Sequence, residues 1–173
     1  MIDSDGKNKP EIILIASVAS NGVIGRDGGQ PVYLKADLKR FRQFTLHHPV
    51  IMGRKTFEAI VRKTGKPLSE RTSIIITKQD GYSAPAGCVV CNSVQEAVEE
   101  GTKLDGNVFV IGGEQIFSQT IAIADRLELT EIHDELPGDV YFPKINKSEW
   151  RETSREEAEE DGMSYAFVSY ERK

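Results

Sequence analysis

Three apolar segments that lead into glycine constrain the fold of this chain more than any other feature. Their sequences are EIILIASVA (11–19), PVIMG (49–53) and NVFVI (107–111). Nearly unbroken hydrophobicity over such short lengths is typical of strands that are buried on both faces of a sheet. Segments with helical spacing of apolar residues alternate with them, so we predict an α/β fold with helices flanking a central sheet.

The remaining patterns extend this sheet to the C-terminus. Further strands are predicted at 71–77, 88–92 and 126–132, helices at about 34–45, 54–60, 93–100 and 114–124, and a loop at 138–143. The segments 150–154 and 165–171 are predicted to form an antiparallel pair, connected by the acidic segment 155–162. This pair makes the predicted sheet mixed, although mostly parallel.

Length and charge exclude several classes of protein. A chain of 173 residues can form one domain with a substantial core. We expect a single domain over 11–173, after a loose polar tail at 1–10 that lacks the apolar region of a secretory signal. The net charge of −5 argues against nucleic acid as a partner. No apolar run approaches the roughly 20 residues of a membrane span, so no membrane contact is expected.

The cysteines and adjacent histidines do not form a convincing metal site. Cys88 and Cys91 form a CxxC pair, but no second ligand pair follows, and the intervening valines indicate a strand rather than a redox-active helix start. Side chains three apart on a strand point to opposite faces, so we predict two buried, reduced thiols, as in a cytoplasmic protein. His47 and His48 have no third ligand nearby, and we expect no bound metal.

One acidic residue has an unusual setting. Asp37 lies in the segment LKADLKRF (34–41), in which Leu34, Leu38 and Phe41 form one apolar face of a helix. Its spacing from Leu34 and Phe41 places Asp37 at the edge of that face. A carboxylate there is costly unless it has a partner. Asp37 is therefore either a solvated residue favoured by the helix dipole or a functional acid, and this segment alone favours the former.

Two junctions between a strand and a helix could receive a ligand. At the first, Gly53 leads into a helix that opens with Arg-Lys-Thr (54–56), where amides, helix dipole and basic side chains would favour a phosphate. The same residues could equally form a helix start with solvated bases. At the second, Gly112-Gly113 allows close approach of the backbone. These junctions and the loop 22–31 all follow strands, so they are expected to meet at one cleft.

Six motifs follow one another in a recognisable order. They are NGVIG (21–25), PVYLKADL (31–38), PVIMGRKTFE (49–58), VIGG (110–113), LTEI (129–132) and GDVYFP (138–143). Each motif alone is weak evidence, but together, at this spacing, they resemble the dihydrofolate reductase family over about residues 12–172. The resemblance implies the single-domain fold of that family.

The resemblance also implies an activity. It is the NADPH-dependent reduction of 7,8-dihydrofolate to 5,6,7,8-tetrahydrofolate by a cytoplasmic monomer, an antifolate target. Two alternatives are a reductase of the same fold that acts on another pterin or a riboflavin-pathway pyrimidine, and a non-catalytic folate- or nucleotide-binding protein. Arg71 favours folate, because a riboflavin precursor has no glutamate carboxylate to hold. Retention of Asp37, Thr130 and Arg54 argues against a protein that has lost catalysis.

By this resemblance, Asp37 and Thr130 are catalytic residues. Asp37 would bind the pterin ring and assist protonation at N5, Thr130 would support its carboxylate, and burial would raise the pKa of Asp37. Arg71 matches the arginine that holds the substrate's α-carboxylate, a bidentate contact that lysine could not reproduce. The expected apolar lining of the substrate pocket comprises Ile15, Ala16, Leu38, Phe41, Ile60, Leu68 and Ile111.

The resemblance implies an NADPH site as well. Expected contacts to the phosphates and the adenosine side are Gly53, Arg54, Lys55, Thr56, Thr77 and Lys78. The backbone at Gly112 and Gly113 would approach the cofactor. Residues expected to close over or lie beside the nicotinamide are Ser17, Val23, Ile24, Gly25, Gly28, Gly29 and Phe117. Gln115 and Ile116 are further expected contacts to the cofactor.

Four features depart from the family pattern. Val32 stands where a tryptophan usually helps to order a water near the substrate, and we expect Tyr33 to compensate in part. Gln30 replaces an apolar residue, and Phe117 replaces a common tyrosine. The segment 61–66 is a few residues longer than usual. We expect these changes to affect rate, substrate preference or antifolate binding more than the fold.

Overall fold

An eight-stranded sheet forms the centre of the protein. The structure is a computed structural model that describes residues 9–173, so the predicted tail at 1–10 lies almost entirely outside the described residues. The strands in the described part are β1 (Glu11–Ala19), β2 (Val23–Gly25), β3 (Pro49–Gly53), β4 (Thr72–Ile76), β5 (Val89–Cys91), β6 (Asn107–Gly112), β7 (Arg126–Ile132), β8 (Val140–Tyr141), β9 (Trp150–Glu160) and β10 (Met163–Arg172).

The strand order confirms a mixed, mostly parallel sheet. The order is β5-β4-β3-β6-β1-β7-β10-β9, while β2 and β8 form a separate two-stranded ribbon. Neighbouring strands from β5 to β7 pair in parallel, whereas β10 runs antiparallel to both β7 and β9. The carboxyl ends of the six parallel strands therefore lie at one edge.

Four helices in residues 9–173 cover both faces of this sheet. They are α1 (Lys35–Thr45), α2 (Arg54–Thr64), α3 (Val94–Leu104) and α4 (Glu114–Thr120). Successive residues of β1 pack on opposite faces of the sheet. Ile13 belongs to a cluster with Phe41 of α1 and Ile60 of α2. Leu14 belongs to a cluster with Ala97 of α3 and Phe117 of α4. No helix of these residues is long and apolar enough to cross a membrane.

The largest difference from prediction lies near the C-terminus. Most of the acidic segment 155–162, predicted as a connection, belongs to β9, and the turn is only Asp161-Gly162, with φ of 52° and 77°. Because β9 is the edge strand and its side chains are mostly exposed, it lacks the apolar alternation by which strands are recognised. The predicted loop 138–143 likewise contains β8, which pairs with β2.

Smaller differences concern helix ends and thiols. Helix α3 continues four residues beyond the predicted end at 100, and α4 ends at Thr120 rather than 124. Both cysteines are free, and they pack against opposite faces of the sheet, as predicted. Cys91 is buried, which raises the pKa of its thiol to about 11, but Cys88 is only partly buried. Within residues 9–173 no cluster of three or more histidine, cysteine, aspartate or glutamate side chains could hold a metal ion.

A buried ion pair fastens α1 to the sheet. Arg40 Nη2 donates a hydrogen bond of 2.6 Å to Glu128 Oε2 in β7, and the two side chains are 13% and 4% exposed. The Ser169 hydroxyl donates to the same oxygen over 2.7 Å. The Arg40 guanidinium also lies over the rings of Phe44 and Phe167, at 4.8 and 4.9 Å from their centroids. This pair fixes the helix that carries Asp37.

Removal of the Glu128 carboxylate tests this attachment. Glu128→Ala leaves the Arg40 charge buried without its partner, so the free energy of unfolding should fall by about 3–5 kcal/mol. The matched control is Glu171→Ala on the neighbouring strand β10, where Glu171 forms an exposed ion pair with Arg151. Its loss should cost less than about 1 kcal/mol. Urea denaturation measures the free energy of unfolding of both variants. Equal decreases would show that the buried Arg40–Glu128 pair stabilises the protein no more than an exposed ion pair does.

Candidate active site

The predicted site residues lie at the edge of the sheet where the parallel strands end. Ser17 of β1 lies beside Thr130 of β7 in the strand register. On the other side of β1, Gly112 at the end of β6 lies beside Met52 of β3, one residue before Gly53. Ligands of open α/β sheets bind outside the carboxyl ends of strands, so this edge is the candidate site.

Asp37 is bonded to the sheet at this edge. Thr130 Oγ1 donates a hydrogen bond of 2.5 Å to Asp37 Oδ1, and Thr130 itself is 1% exposed. Burial raises the pKa of Asp37 above that of a solvated aspartate, while hydrogen bonds with the Thr130 and Ser17 hydroxyls and the charge of Arg40 oppose the rise. The balance gives a carboxyl group that holds its proton more readily than an ordinary aspartate.

The local sequence explains this placement. Leu34 is buried against Ile132 and Tyr165, which fixes the chain immediately before α1. Asp37 then falls in the first turn of α1, and Phe41 lies one turn further along the same face. The carboxyl group therefore lies between the sheet and an apolar helix surface.

Most of the predicted substrate-lining residues converge on one face of the sheet. One cluster contains five of them: Ile15, Phe41, Ile60, Leu68 and Ile111. Ala16 packs against the cluster on the opposite face, since it is the neighbour of Ile15 on the same strand. Leu38 is 42% exposed, which leaves an apolar side chain beside Asp37 available to a ligand. The site thus combines one acid with an apolar surface.

Arg71 is oriented by neutral groups. Its Nε donates a hydrogen bond of 2.9 Å to the Ser69 carbonyl, and its Nη1 donates one of 3.1 Å to Thr45 Oγ1. The guanidinium carbon lies 5.9 Å from the centroid of the Phe41 ring, at the border of the apolar cluster. Within residues 9–173 no carboxylate forms an ion pair with Arg71. The guanidinium is therefore held in place but can still receive an anion.

The junction of β3 and α2 fits a pyrophosphate group. Helix α2 begins directly after Gly53 without a side-chain cap, so its first amides can bind an anion. Gly112 has φ of +127°, a conformation that residues with a side chain rarely adopt. A Cβ at Gly113 would lie 3.4 Å from Thr56 Oγ1, so the glycine keeps this approach open. NADPH contains such a pyrophosphate.

Basic and polar groups extend from this junction. Arg54 donates through Nη1 to both oxygens of Glu58, at 3.1 and 3.0 Å, which holds its guanidinium at the first turn of α2. Lys55 is exposed beside it. Thr77 and Lys78, which follow β4, line an open groove of about 440 Å³. Because Gly53 lies beside Ile76 in the strand register, these two groups of residues follow neighbouring strand ends.

The predicted closing loop is more regular than expected. Val23, Ile24 and Gly25 form β2, which pairs with β8. Gly28 and Gly29 belong to a tight turn, in which Arg26 and Gly29 exchange two backbone hydrogen bonds of 2.9 Å. The segment is therefore an ordered ribbon and turn.

Several predicted cofactor contacts are core side chains. Val23 is 1%, Ile116 7% and Phe117 2% exposed, and the Phe117 ring packs on Phe142 with centroids 4.9 Å apart. Gln115 is exposed. The three apolar side chains are buried, and Ile116 and Phe117 lie next to Gly53 and Gly112 respectively. Their direct contact with a cofactor stays a prediction.

Tyr33 lies beside the C-terminal part of α2, and its expected compensation for Val32 stays a prediction. It is 47% exposed, and Lys63 Nζ lies 3.3 Å from the centroid of its ring. Val32 packs against Leu34 and its neighbours. Thr130 donates the side-chain hydrogen bond to Asp37, and the Ser17 hydroxyl also lowers the pKa of its carboxyl group. The longer segment 61–66 extends α2 to Thr64 and places Lys63 over the ring of Tyr33.

Three contributions to the Asp37 environment were missed from the sequence. Ser17, expected near the nicotinamide, and the charge of Arg40 both lower the pKa of Asp37. Arg40 could have been recognised, because residues three apart are neighbours on a helix. Glu160, whose negative charge also raises the pKa of Asp37, gave no such signal because it lies far away in the sequence.

Comparisons with known proteins agree with this arrangement. The sequence model of the family described as dihydrofolate reductase matches residues 11–172. The chain is 42% identical over 176 aligned residues to dihydrofolate reductase HdrB of Haloferax volcanii, covering 99% of this chain and 88% of that one. It is 37% identical to dihydrofolate reductase of Bacillus subtilis, covering 94% and 95%.

A solved structure has the same fold. Dihydrofolate reductase from Enterococcus faecalis, complexed with NADP(H) and RAB-propyl, superposes with a TM-score of 0.85 at 31% identity. The alignment covers 94% of this chain and 96% of that chain. With the family match over nearly its whole length, this chain belongs to the dihydrofolate reductase family.

Proposed function

We propose that this protein reduces 7,8-dihydrofolate to 5,6,7,8-tetrahydrofolate with NADPH. The observation that carries the proposal is Asp37, a carboxyl group of raised pKa that bonds Thr130 at the carboxyl edge of the sheet, beside an apolar surface. Burial of a carboxyl group is costly, and groups whose pKa is perturbed in this way are concentrated at functional sites. Family membership and the NADP(H)-bound relative support the same activity.

In this proposal Asp37 binds the pterin ring and supplies the proton for N5. Its carboxyl group forms hydrogen bonds with the ring nitrogen and amino group of the pterin. In the protonated form, which its raised pKa favours, it gives its proton through a water to N5, and the resulting carboxylate takes up a proton from solvent before the next turnover. Thr130 orients the carboxyl through its hydrogen bond. NADPH supplies the hydride that C6 accepts. The product gains one hydride and one proton, and the cofactor leaves as NADP⁺.

Arg71 gives the proposal its preference for folate. The side chain is oriented by Ser69 and Thr45, so its remaining donors can bind the substrate's α-carboxylate. Ile60, Leu68 and Phe41 lie in the apolar cluster that borders it and would contact the benzoyl group. A riboflavin-pathway pyrimidine lacks this carboxylate and would make no use of Arg71.

The residues proposed for NADPH begin at the start of α2. The amides after Gly53 and the side chains of Arg54, Lys55 and Thr56 would bind phosphate, and Thr77 and Lys78 would line the adenosine side. Backbone at Gly112 and Gly113 would approach the cofactor, while Ser17 and the segment 23–29 would cover the nicotinamide. The protein is further proposed to act as a cytoplasmic monomer with one domain over 11–173, and light scattering tests its mass.

Asp37→Asn tests the catalytic proposal. Asparagine keeps the shape but cannot supply the proton, so NADPH oxidation with dihydrofolate should fall by at least about 100-fold while NADPH binding persists. In the unchanged protein, hydride transfer should slow as pH rises through the raised pKa of Asp37, because the protonated form is lost. Stopped-flow absorbance against pH measures both effects, and the variant should lose this pH dependence.

The control for this experiment is Asp134→Asn, which changes an exposed aspartate. It should leave both rate and pH profile unaltered. Unchanged turnover in Asp37→Asn would refute the catalytic assignment. Absence of turnover in the unchanged protein, with NADPH still bound, would favour another pterin as substrate or a non-catalytic binding protein.

Arg71→Lys tests the substrate assignment. Lysine keeps the charge but loses the planar fork, so the KM for dihydrofolate should rise about 10-fold or more with little change in kcat. With 7,8-dihydropteroate, which lacks the glutamate, the same substitution should have almost no effect. The charge-conserving control is Arg42→Lys, in an exposed pair with Glu70. An equal KM increase for both substrates would argue against a contact with the α-carboxylate.

A further inference from the structure

Helix α1 begins without a cap from its own sequence. The residue before it is Leu34, whose side chain cannot accept a hydrogen bond, and no side chain of the adjacent segment caps the helix. The first amides of a helix have no intrahelical partner. They therefore need acceptors from elsewhere, and this matters because Asp37 is the third residue of the helix.

Glu160 supplies these acceptors from the other end of the sequence. Its Oε2 accepts a hydrogen bond of 2.5 Å from the Lys35 amide, and its Oε1 accepts one of 3.1 Å from the Ala36 amide. The two oxygens of one carboxylate thus bind the first two amides of α1. A charged acceptor at a helix N-terminus is favoured by both hydrogen bonding and the helix dipole.

The position of Glu160 is fixed by the β9–β10 hairpin. It is the last residue of β9 and pairs with Met163 across the turn at Asp161-Gly162. Both turn residues have positive φ, as in the tight turns that suit paired strands. The carboxylate is therefore presented to α1 by a short, regular hairpin rather than by a long loop.

Apolar contacts hold the hairpin end against the start of α1. A cluster joins the segment before the helix, the helix start and the hairpin: Val32, Leu34, Ala36, Leu136, Ile132, Ala158, Met163, Tyr165 and Phe167. Leu34 and Tyr165 are 3% and 2% exposed. Because this contact is packed, displacement of the hairpin would displace the first turn of α1 with it.

We propose that Glu160 is a positioning residue for the reduction, which caps the first turn of α1 from the β9–β10 hairpin and so holds Asp37 against Thr130. The inference rests on the proposed function only for its kinetic consequence. The hydrogen bonds from Lys35 and Ala36 to Glu160 do not depend on which substrate the protein reduces. No other carboxylate in residues 9–173 contacts these amides.

The charge of Glu160 also acts on Asp37 directly. It raises the pKa of Asp37, as does burial, while Arg40 on the same helix lowers it. On β10, burial raises the pKa of the Tyr165 phenol, and the negative charges of Glu160 and Asp37 raise it further. Removal of the Glu160 charge should lower the pKa of Asp37, and release of the α1 amides acts in the same direction because the helix dipole then favours the Asp37 anion.

Glu160→Gln tests the proposal, because glutamine keeps the size but loses the charge and one acceptor. The hydride-transfer rate constant at neutral pH should fall about fivefold, the factor that loss of one helix cap typically represents. The pH at which the rate is half-maximal should move to lower pH, while the Kd for NADPH stays the same. Single-turnover stopped-flow measurements give the rate profile.

The control is Glu159→Gln, which removes the same charge from the adjacent, exposed position. It should change neither rate nor pH profile. A second readout is the pH titration of the ¹³C signal of the Asp37 carboxyl, which needs no turnover and so remains informative if dihydrofolate is not the substrate. A lower midpoint in Glu160→Gln alone supports the proposal. A midpoint equal to that of Glu159→Gln would overturn it, even if the thermal stability fell.

Discussion

The hydrogen bond between Thr130 and Asp37 depends on the whole topology of the sheet. Thr130 reaches Asp37 because β7 lies parallel to β1, with Thr130 beside Ser17, so that both hydroxyls can face one carboxyl group. Parallel neighbours require a crossover connection, and each crossover returns the chain so that the carboxyl ends meet at one edge. An acid from the start of α1 can therefore meet a threonine 93 positions later in the chain.

The cost of burying this acid explains how its surroundings are arranged. Two hydroxyls and the charge of Arg40 stabilise the ionised form, whereas burial and the charge of Glu160 favour the protonated form. Arg40 is in turn neutralised by Glu128 and packed against Phe44 and Phe167, which limits how far it can favour the Asp37 anion. The result is a carboxyl group that can exchange a proton, held by elements whose own stability comes from the apolar clusters on both faces of the sheet.

Patterns of hydrophobicity were sufficient to predict the parallel part of the sheet. The segments 11–19, 49–53 and 107–111 are buried on both faces, so their nearly continuous hydrophobicity predicts central strands. β9 was recognised only in part because an edge strand with exposed acidic side chains lacks this hydrophobic pattern. The α/β class thus followed from periodicity, whereas the length of the final hairpin did not.

The same distinction applies to the candidate site. The segment around Asp37 alone favoured a solvated residue, and the family resemblance supplied both the acid and Thr130. The contributions of Ser17 and Glu160 depend on strand register and on a contact between segments 125 positions apart. The expected compensation for Val32 by Tyr33 stays a prediction, but the contact of its ring with Lys63, a residue of the extended part of α2, gave no signal in the sequence. A residue type can suggest a donor, but only the path of the neighbouring helix decides where the side chain lies.

The most direct test of this account is a crystal structure of the complex with NADP⁺ and folate. In that complex both Asp37 oxygens should lie within about 3.2 Å of the pterin ring nitrogen and amino group, with Thr130 still bonded to the carboxyl and the α-carboxylate at Arg71. A pterin bound elsewhere on the protein, or an Asp37 carboxyl that contacts only protein atoms in the complex, would contradict it.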